Sequence, residues 1–284
     1  MIITSRQNRT IGNGIRFTLR YAIMLFVVVI CIFPLVWVLL SSFKTNIEIM
    51  ASAFSIPQTP SFIGYKIAME TAALHKRFFT SLIVSSSATI ISLCIYGMAG
   101  YALARVDFPF KSAIFALLIS SLLIPTNAMI QPVYTVIKGL GLYDTKLALI
   151  LVYTGFAMPM CLFLLRSYFL SIPDELEEAA YIEGAGFFRT FWSVILPVAR
   201  PVLASASVLT FIASWNELLY ALLLTSSERN RTLPLTMKYF TQMFTFNYTP
   251  MFAALVISIV PTITIYVIMQ EQIMESVVAG SVKG

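Results

Sequence analysis

The sequence has 284 residues, of which 58% are hydrophobic and 11% charged, where soluble domains carry about a quarter charged residues. Its mean hydropathy of +0.85 makes lipid the main solvent and sets the chain apart from soluble globular proteins. The net charge of +6 is not interleaved with aromatics in a basic patch, so it marks membrane topology and implies no nucleic-acid partner.

In chain order, Arg6, Arg9, Arg16 and Arg20 come first, with no acid among them. By the positive-inside rule they put the N-terminus in the cytoplasm. The uncharged run Tyr21 to Phe43 follows. It is too long for a signal-peptide core and no small-residue cleavage site comes after it, so it reads as a retained first helix. Further uncharged runs extend from Phe78 to Ala104, Ser112 to Ile137, Leu147 to Leu165 and Tyr239 to Gln270. Each supplies the roughly 20 apolar residues that cross a bilayer. Pro201 to Leu224 is counted as another span although Glu217 lies in its outer part.

Unpaired backbone groups cannot face hydrocarbon, so the runs are read as helices. The alternating segments of about ten residues that would mark a β-barrel do not occur. The expected fold is an all-α membrane protein with six transmembrane helices and both termini cytoplasmic. Residues 1–20 are a cytoplasmic segment, 21–270 one membrane domain, and 271–284 a cytoplasmic tail. Ten Lys and Arg fall in inside segments and nine in outside ones, so orientation rests on the four N-terminal arginines. Cys31, Cys94 and Cys161 lie within spans without metal-ligand spacing and are read as small buried apolar residues. His75, the sole histidine, adjoins Lys76 and Arg77 and is read as a solvated residue near the membrane surface.

In the third run Asn127, Gln131 and Tyr134 sit around Pro125 and Pro132. A distorted helix there would present amides to a translocation path, although kinks and buried amides also serve helix packing. Glu217 is the only acid within a span, flanked by Trp215, Asn216 and Tyr220. An acid at depth must face water, a partner or a cavity. The alternative makes Trp215 an interfacial belt residue and Glu217 a loop-edge acid.

Between the fourth run and Pro201 lies the cytoplasmic loop 166–200, which holds five carboxylates: Asp174, Glu175, Glu177, Glu178 and Glu183. Pro173 suits the first turn of a helix and the acids that follow suit its positive end. Leu176, Ala179 and Ala180 then share a low apolar face. Gly184 and Gly186 supply a turn, and "FFRTFWSVIL" supplies a second amphipathic segment ending at Pro197 and Pro201. The loop reads as a helical hairpin whose aromatics need a cover. A solvated linker is the alternative.

The stretch "EAAYIEGAGFFRTFWSVILP" resembles the EAA loop of permease subunits in binding-protein-dependent ABC importers. Glu178, Ala179, Ala180, Gly184, Leu196 and Pro197 match it in spacing, with Val194 at its Ile position. "FPLVWVLLSSFKT", "IPTNAMIQPVY", "LGLYDTKLALIL", "SWNELLYAL", "RTLPL" and "VVAGSVKG" resemble, in the same order, segments of the carbohydrate type. The ending points to the second permease subunit of maltose-type systems.

The resemblance implies a type I importer permease that forms half of a pathway for a sugar. Its loop would be a coupling helix seated in an ATPase cleft, with Glu178 making a charge-assisted contact and Ala179, Ala180 and Gly184 giving the close fit. It also implies a homologous second permease, two ATPase subunits that carry the ATP and Mg, and an extracytoplasmic solute-binding protein touching 226–249. The partner permease would supply most of the sugar site, and the tail would reach between the ATPase subunits. Carriers of glycerol phosphate compounds belong to the same type.

Bottom-up, the chain has no phosphate-binding G-x-x-x-x-G-K-[ST] loop, so ATP must be hydrolysed elsewhere. A stand-alone secondary transporter would place several ionisable residues within spans, and only Glu217 qualifies. No Ser/His, paired Asp or His/Glu set suggests an intramembrane enzyme, and no metal or cofactor is expected on this chain.

Overall fold

A computed structural model describes the backbone of residues 3–242 and 245–281, and the side chains of 17–240 and 246–272. In chain order the helices are α1 (Ile3–Ser41), α2 (Asn46–Ala51), α3 (Ile63–Thr71), α4 (Leu74–Arg105), α5 (Lys111–Ser120), α6 (Ile130–Gly139), α7 (Lys146–Phe169), α8 (Glu175–Ile182), α9 (Phe187–Thr190), α10 (Leu196–Val198), α11 (Arg200–Trp215), α12 (Leu219–Leu224), α13 (Met237–Phe240) and α14 (Tyr248–Ser281). Two short strands, β1 (Thr241–Gln242) and β2 (Thr245–Phe246), pair antiparallel with Thr241 opposite Phe246. Four helices are long and apolar enough to cross a bilayer, and six spans result if each of two bent helix pairs counts as one.

The bends depart from the sequence expectation. The run Ser112 to Ile137 is two segments, Lys111–Leu123 and Thr126–Gly139, at 95°. Pro125 forces the cause: the residue before a proline is pushed out of the helical region, and Ile124 is extended at φ −87°, ψ 114°. The run Pro201 to Leu224 is also interrupted, with α11 ending at Trp215 and α12 starting at Leu219. The last span begins at Tyr248, not Tyr239, and its helix runs on to Ser281. Most of the expected tail 271–284 therefore continues the helix, and its final residues 282–284 lie outside the described ones. The arginine-bearing N-terminal segment likewise joins the first span in one helix, α1.

The chain divides into two compact units, residues 1–71 with 240–257, and 72–239 with 258–284. In the first, Thr45 and Glu48 form a reciprocal capping box at the start of α2. Asn46 Oδ1 accepts from the Tyr248 N–H at 2.9 Å, tying that cap to the start of α14. Trp37 meets Phe252 edge-on at 5.2 Å. The apolar surface of α1 from Phe17 onward is otherwise exposed, which only lipid or another membrane chain can solvate.

In the second unit α4 is the axis. Ser81, Ser85, Ala88 and Ser92 are buried along it, and such small residues let apolar helices approach closely. Val84 and Ala88 pack with Ala148, Leu149 and Val152 of α7 in one core cluster. Tyr101, Leu165, Phe169 and Phe191 form another. Cys161 is buried there as expected, whereas Cys31 and Cys94 are exposed, because each lies on a helix face that no other element covers.

Two polar ties hold the loop 226–239. Buried Arg77 of α4 pairs with Glu228 and lies 3.9 Å over the Tyr239 ring. The Tyr239 hydroxyl, and after it Arg77 and Arg231, hold the Glu228 carboxyl below its ordinary value. Asp144 Oδ1 accepts from the N–H groups of Ser226 and Ser227 at 2.9 and 3.0 Å. Desolvation pushes the Asp144 carboxyl up, but these serine bonds prevail and keep it well below the carboxylate range.

A close approach marks the α4–α7 seam at Gly100, where an added Cβ would lie 3.2 Å from the Arg166 nitrogen and 3.4 Å from Leu165 Cβ. Replacing Gly100 by Val should overpack the seam and cost about 1–3 kcal/mol. Thermal unfolding of purified wild-type and variant protein in the same detergent measures this; an unchanged midpoint would contradict the seam.

Candidate functional site

The loop expected to be a hairpin is one. Asp174 precedes α8, whose first turn carries Glu175, Glu177 and Glu178 at the positive end of its dipole. Pro173 lies just outside, one residue before the cap, and not in the first turn as the sequence suggested. At the other end Gly184 adopts φ +80°, and its N–H donates to the Tyr181 carbonyl at 3.0 Å while that of Ala185 donates to Ala180 at 2.9 Å. This closure needs a left-handed residue, which glycine supplies without strain. The chain then runs through α9, widens into a π-turn over Phe191–Ile195, and turns at Ala199 through 81° into α11.

Adjacent acids on α8 face opposite ways. Glu178 and Ala179 are exposed, with Leu176 and Ile182 beside them. Glu177 is buried, and Arg105 Nε lies 2.6 Å from its Oε1. The Tyr101 hydroxyl donates to Glu177 Oε2 at 3.1 Å. Arg105 also pairs with Asp174 and donates from Nη2 to the Ile172 carbonyl at 2.6 Å. Tyr101 and Arg105 are one turn apart at the end of α4 and so share a face. Tyr101 stacks on Phe187 at 4.8 Å, which draws the second arm of the hairpin to the same anchor.

The sequence expectation is corrected at two points. Ala180 is buried within the chain, so it does not share an open face with Leu176 and Ala179; its side is the one that Glu177 carries inward. The aromatics of "FFRTFW" are divided, Phe191 being buried while Phe188 and Trp192 are exposed. Leu196 is half-buried and Pro197 exposed.

In the second unit a cavity of about 360 Å³ lies among α7, α11 and the two helix breaks. Asn127, Glu217 and Tyr220 line it with Tyr153 and Phe156. Glu217 Oε2 accepts from the Tyr153 hydroxyl at 2.8 Å and from the Ala221 N–H at 3.0 Å, and Oε1 accepts from the Tyr220 N–H at 2.8 Å. The carboxylate thus caps the free N–H groups of α12, which explains how the span restarts after its break. The Tyr220 hydroxyl donates to the Thr126 carbonyl at 2.6 Å, joining one interruption to the other.

Gln131, Trp215 and Asn216 do not line this cavity. Gln131 and Asn216 are exposed. Trp215 is a core residue, neither path nor belt: it is buried, stacked on Phe211 at 5.6 Å, edge-on to Phe78 at 5.5 Å, and bonded through Nε1 to the Ser258 carbonyl at 3.0 Å. Among the described residues no group of three or more His, Cys, Asp or Glu could hold a metal ion. Sequence reasoning missed Arg105, Tyr101 and Tyr153; an arginine at the end of an apolar helix was the one available signal.

Residues 97–275 match the family model described as binding-protein-dependent transport system inner membrane component. The chain is 36% identical over 263 residues to the diacetylchitobiose uptake system permease protein NgcG of Streptomyces coelicolor, covering 92% of this chain and 87% of that one. It is 30% identical over 259 residues to the trehalose/maltose transport system permease protein MalG of Thermococcus litoralis, with 90% and 93% covered. Its fold matches, at a TM-score of 0.80 and 22% identity, a chain of a bacterial ABC transporter involved in the import of the acidic polysaccharide alginate, over 92% of this chain and 97% of that one.

Removing one partner of a buried ion pair strands the other charge, at about 3–5 kcal/mol, whereas replacing both with apolar groups costs little. Arg105→Met should therefore destabilise strongly, and Arg105→Met combined with Glu177→Leu should recover most of the loss. Asp174→Asn, at 76% exposure, should cost under about 1 kcal/mol. Denaturant unfolding of the three variants checks this; a double variant no more stable than Arg105→Met alone would show that the pair is not the stabilising contact.

Proposed function

The chain belongs to the family of binding-protein-dependent transport system inner membrane components, and from that premise we propose that it is the permease subunit of an ATP-driven importer, forming half of the pathway for a sugar or oligosaccharide. It is a multi-pass membrane protein and carries the transport step, not ATP hydrolysis. In this reading it crosses the membrane six times with both termini cytoplasmic, the interrupted stretches Lys111–Gly139 and Arg200–Leu224 each making one span. Its partners are a homologous permease, two ATPase subunits that bind ATP and Mg, and an extracytoplasmic binding protein that meets the segment 226–249.

The observation that carries the reading is the division of labour on α8. Glu177 locks the helix to the end of α4 through Arg105, so the exposed edge of Glu178 and Ala179 is offered on a rigid support. Movement of an ATPase cleft that grips this edge would pass into α4, the axis of the second unit, without being lost in a loose loop. Glu178 is free to make a charge-assisted contact to an arginine of the ATPase. Gly184, Leu196 and Pro197 shape the hairpin that presents it.

Gly184→Trp tests this in the complex co-purified from its host. An added Cβ at Gly184 meets nothing within 4 Å, so the isolated subunit has room for a side chain to start there and bears the backbone strain of φ +80°, about 1–2 kcal/mol. In the complex it should obstruct docking and reduce uptake at least tenfold relative to ATP hydrolysis. Normal uptake by an assembled Gly184→Trp complex would refute the coupling role. Deleting residues 279–284 should change ATPase regulation and leave assembly intact, as measured by ATP turnover of the purified complex; unchanged turnover would make the tail a plain terminus.

A further inference from the structure

The cavity beside Glu217 is more open than packing requires, and its surroundings are those of a ligand site. At about 360 Å³ it falls in the range of about 300–1,000 Å³ typical of small-molecule pockets. Tyr153 and Phe156 place it well inside α7, seven and ten residues after its start at Lys146. Both adjacent helix interruptions open onto it, through Thr126 and Asn127 on one side and Glu217 on the other. Irregular backbone at membrane depth persists where it lines a polar cavity, and interrupted helices recur at transport sites for that reason.

The acceptor count leaves room for a ligand. A carboxylate has about four lone-pair positions. Glu217 uses two on Oε2, for Tyr153 and Ala221, and one on Oε1, for Tyr220. One position on Oε1 remains. The Phe156 and Tyr220 rings stand 4.8 Å apart at 57° and add an aromatic wall, the surface that the C–H face of a sugar ring packs against. The lining includes no Lys, Arg or His.

We infer that this cavity is a subsite for a neutral, hydroxyl-rich glycoside in transit, with Glu217 accepting from a sugar hydroxyl and Phe156 and Tyr220 covering an apolar face. This rests on the importer reading and narrows its substrate class. A negative charge brought within about 6 Å of Glu217 would be disfavoured by roughly two orders of magnitude at an effective dielectric near 20. No cation among the lining residues of this chain offsets that, so phosphorylated solutes are disfavoured.

Saturation-transfer NMR on the intact complex in lipid nanodiscs, without the binding protein, tests the inference. The neutral probes are N,N′-diacetylchitobiose and trehalose, and the anionic probe is glycerol 3-phosphate. Wild type should give signal from at least one neutral probe and at least tenfold less from glycerol 3-phosphate. Ala157→Leu fills the cavity from α7 while leaving every hydrogen-bonding group at Glu217 in the chain, and should abolish the neutral signal. Glu217→Gln should weaken the neutral signal and lose the discrimination against the anion.

The inference is overturned by silence of both neutral probes on wild type, by equal signal from glycerol 3-phosphate, by full signal in Ala157→Leu, or by unchanged discrimination in Glu217→Gln. The importer reading is scored separately on the same preparation, because it fails if no ATP-hydrolysing subunit co-purifies. A complex that hydrolyses ATP and imports solute but shows none of the expected signals refutes the subsite alone.

Discussion

The buried pair between Arg105 and Glu177 is the constraint on which the rest of the loop depends. A carboxylate taken from water without a cation is costly enough to unfold its surroundings, so α8 can sit only where Glu177 reaches the end of α4. Arg105 is itself well placed, in the last turn of a long helix whose dipole favours a cation. The same guanidinium also holds Asp174 and the Ile172 carbonyl. One side chain thereby fixes where the loop leaves α7, where α8 begins, and which of its faces looks outward.

The membrane portion solves a different problem. Two of its helices are broken, and every broken helix releases backbone groups that lipid cannot satisfy. Glu217 answers this at α12 by accepting from two backbone N–H groups, and Tyr220 answers it at the other break by donating to Thr126. The pairing of these breaks explains why a chain so poor in charge retains an acid at that depth. Capping of α12 and the acidic edge of an otherwise largely apolar cavity are two consequences of the same carboxylate.

Much of this was legible in the sequence. The spans α1, α4, α7 and α14 follow from uncharged runs of bilayer length, a signal with few competing explanations. The bend at Ile124 could be anticipated from Pro125. The break at 216–218 could not, because no proline or glycine marks it and its cause is a side chain reaching forward to cap the next helix. The hairpin was readable from its acids and from Gly184, but the inward turn of Glu177 was not: its partner Tyr101 is 76 residues away in sequence, and no local pattern separates Glu177 from Glu178. Trp215 misled for a related reason. An amphipathic ring suits an interface, a pathway or a core equally well, and only its contacts with Phe78 and Phe211 decide.

Successive residues on a helix point about 100° apart, which is why Glu177 and Glu178 serve different partners. Surface loops ordinarily tolerate insertions and deletions. This one is pinned at Ile172 and Asp174 by Arg105 and closed at Gly184 by a left-handed turn, so one added or lost residue between those points would rotate α8 and exchange its two acids. The loop is therefore a spacer of fixed length, in which residue count is as much a determinant as residue identity.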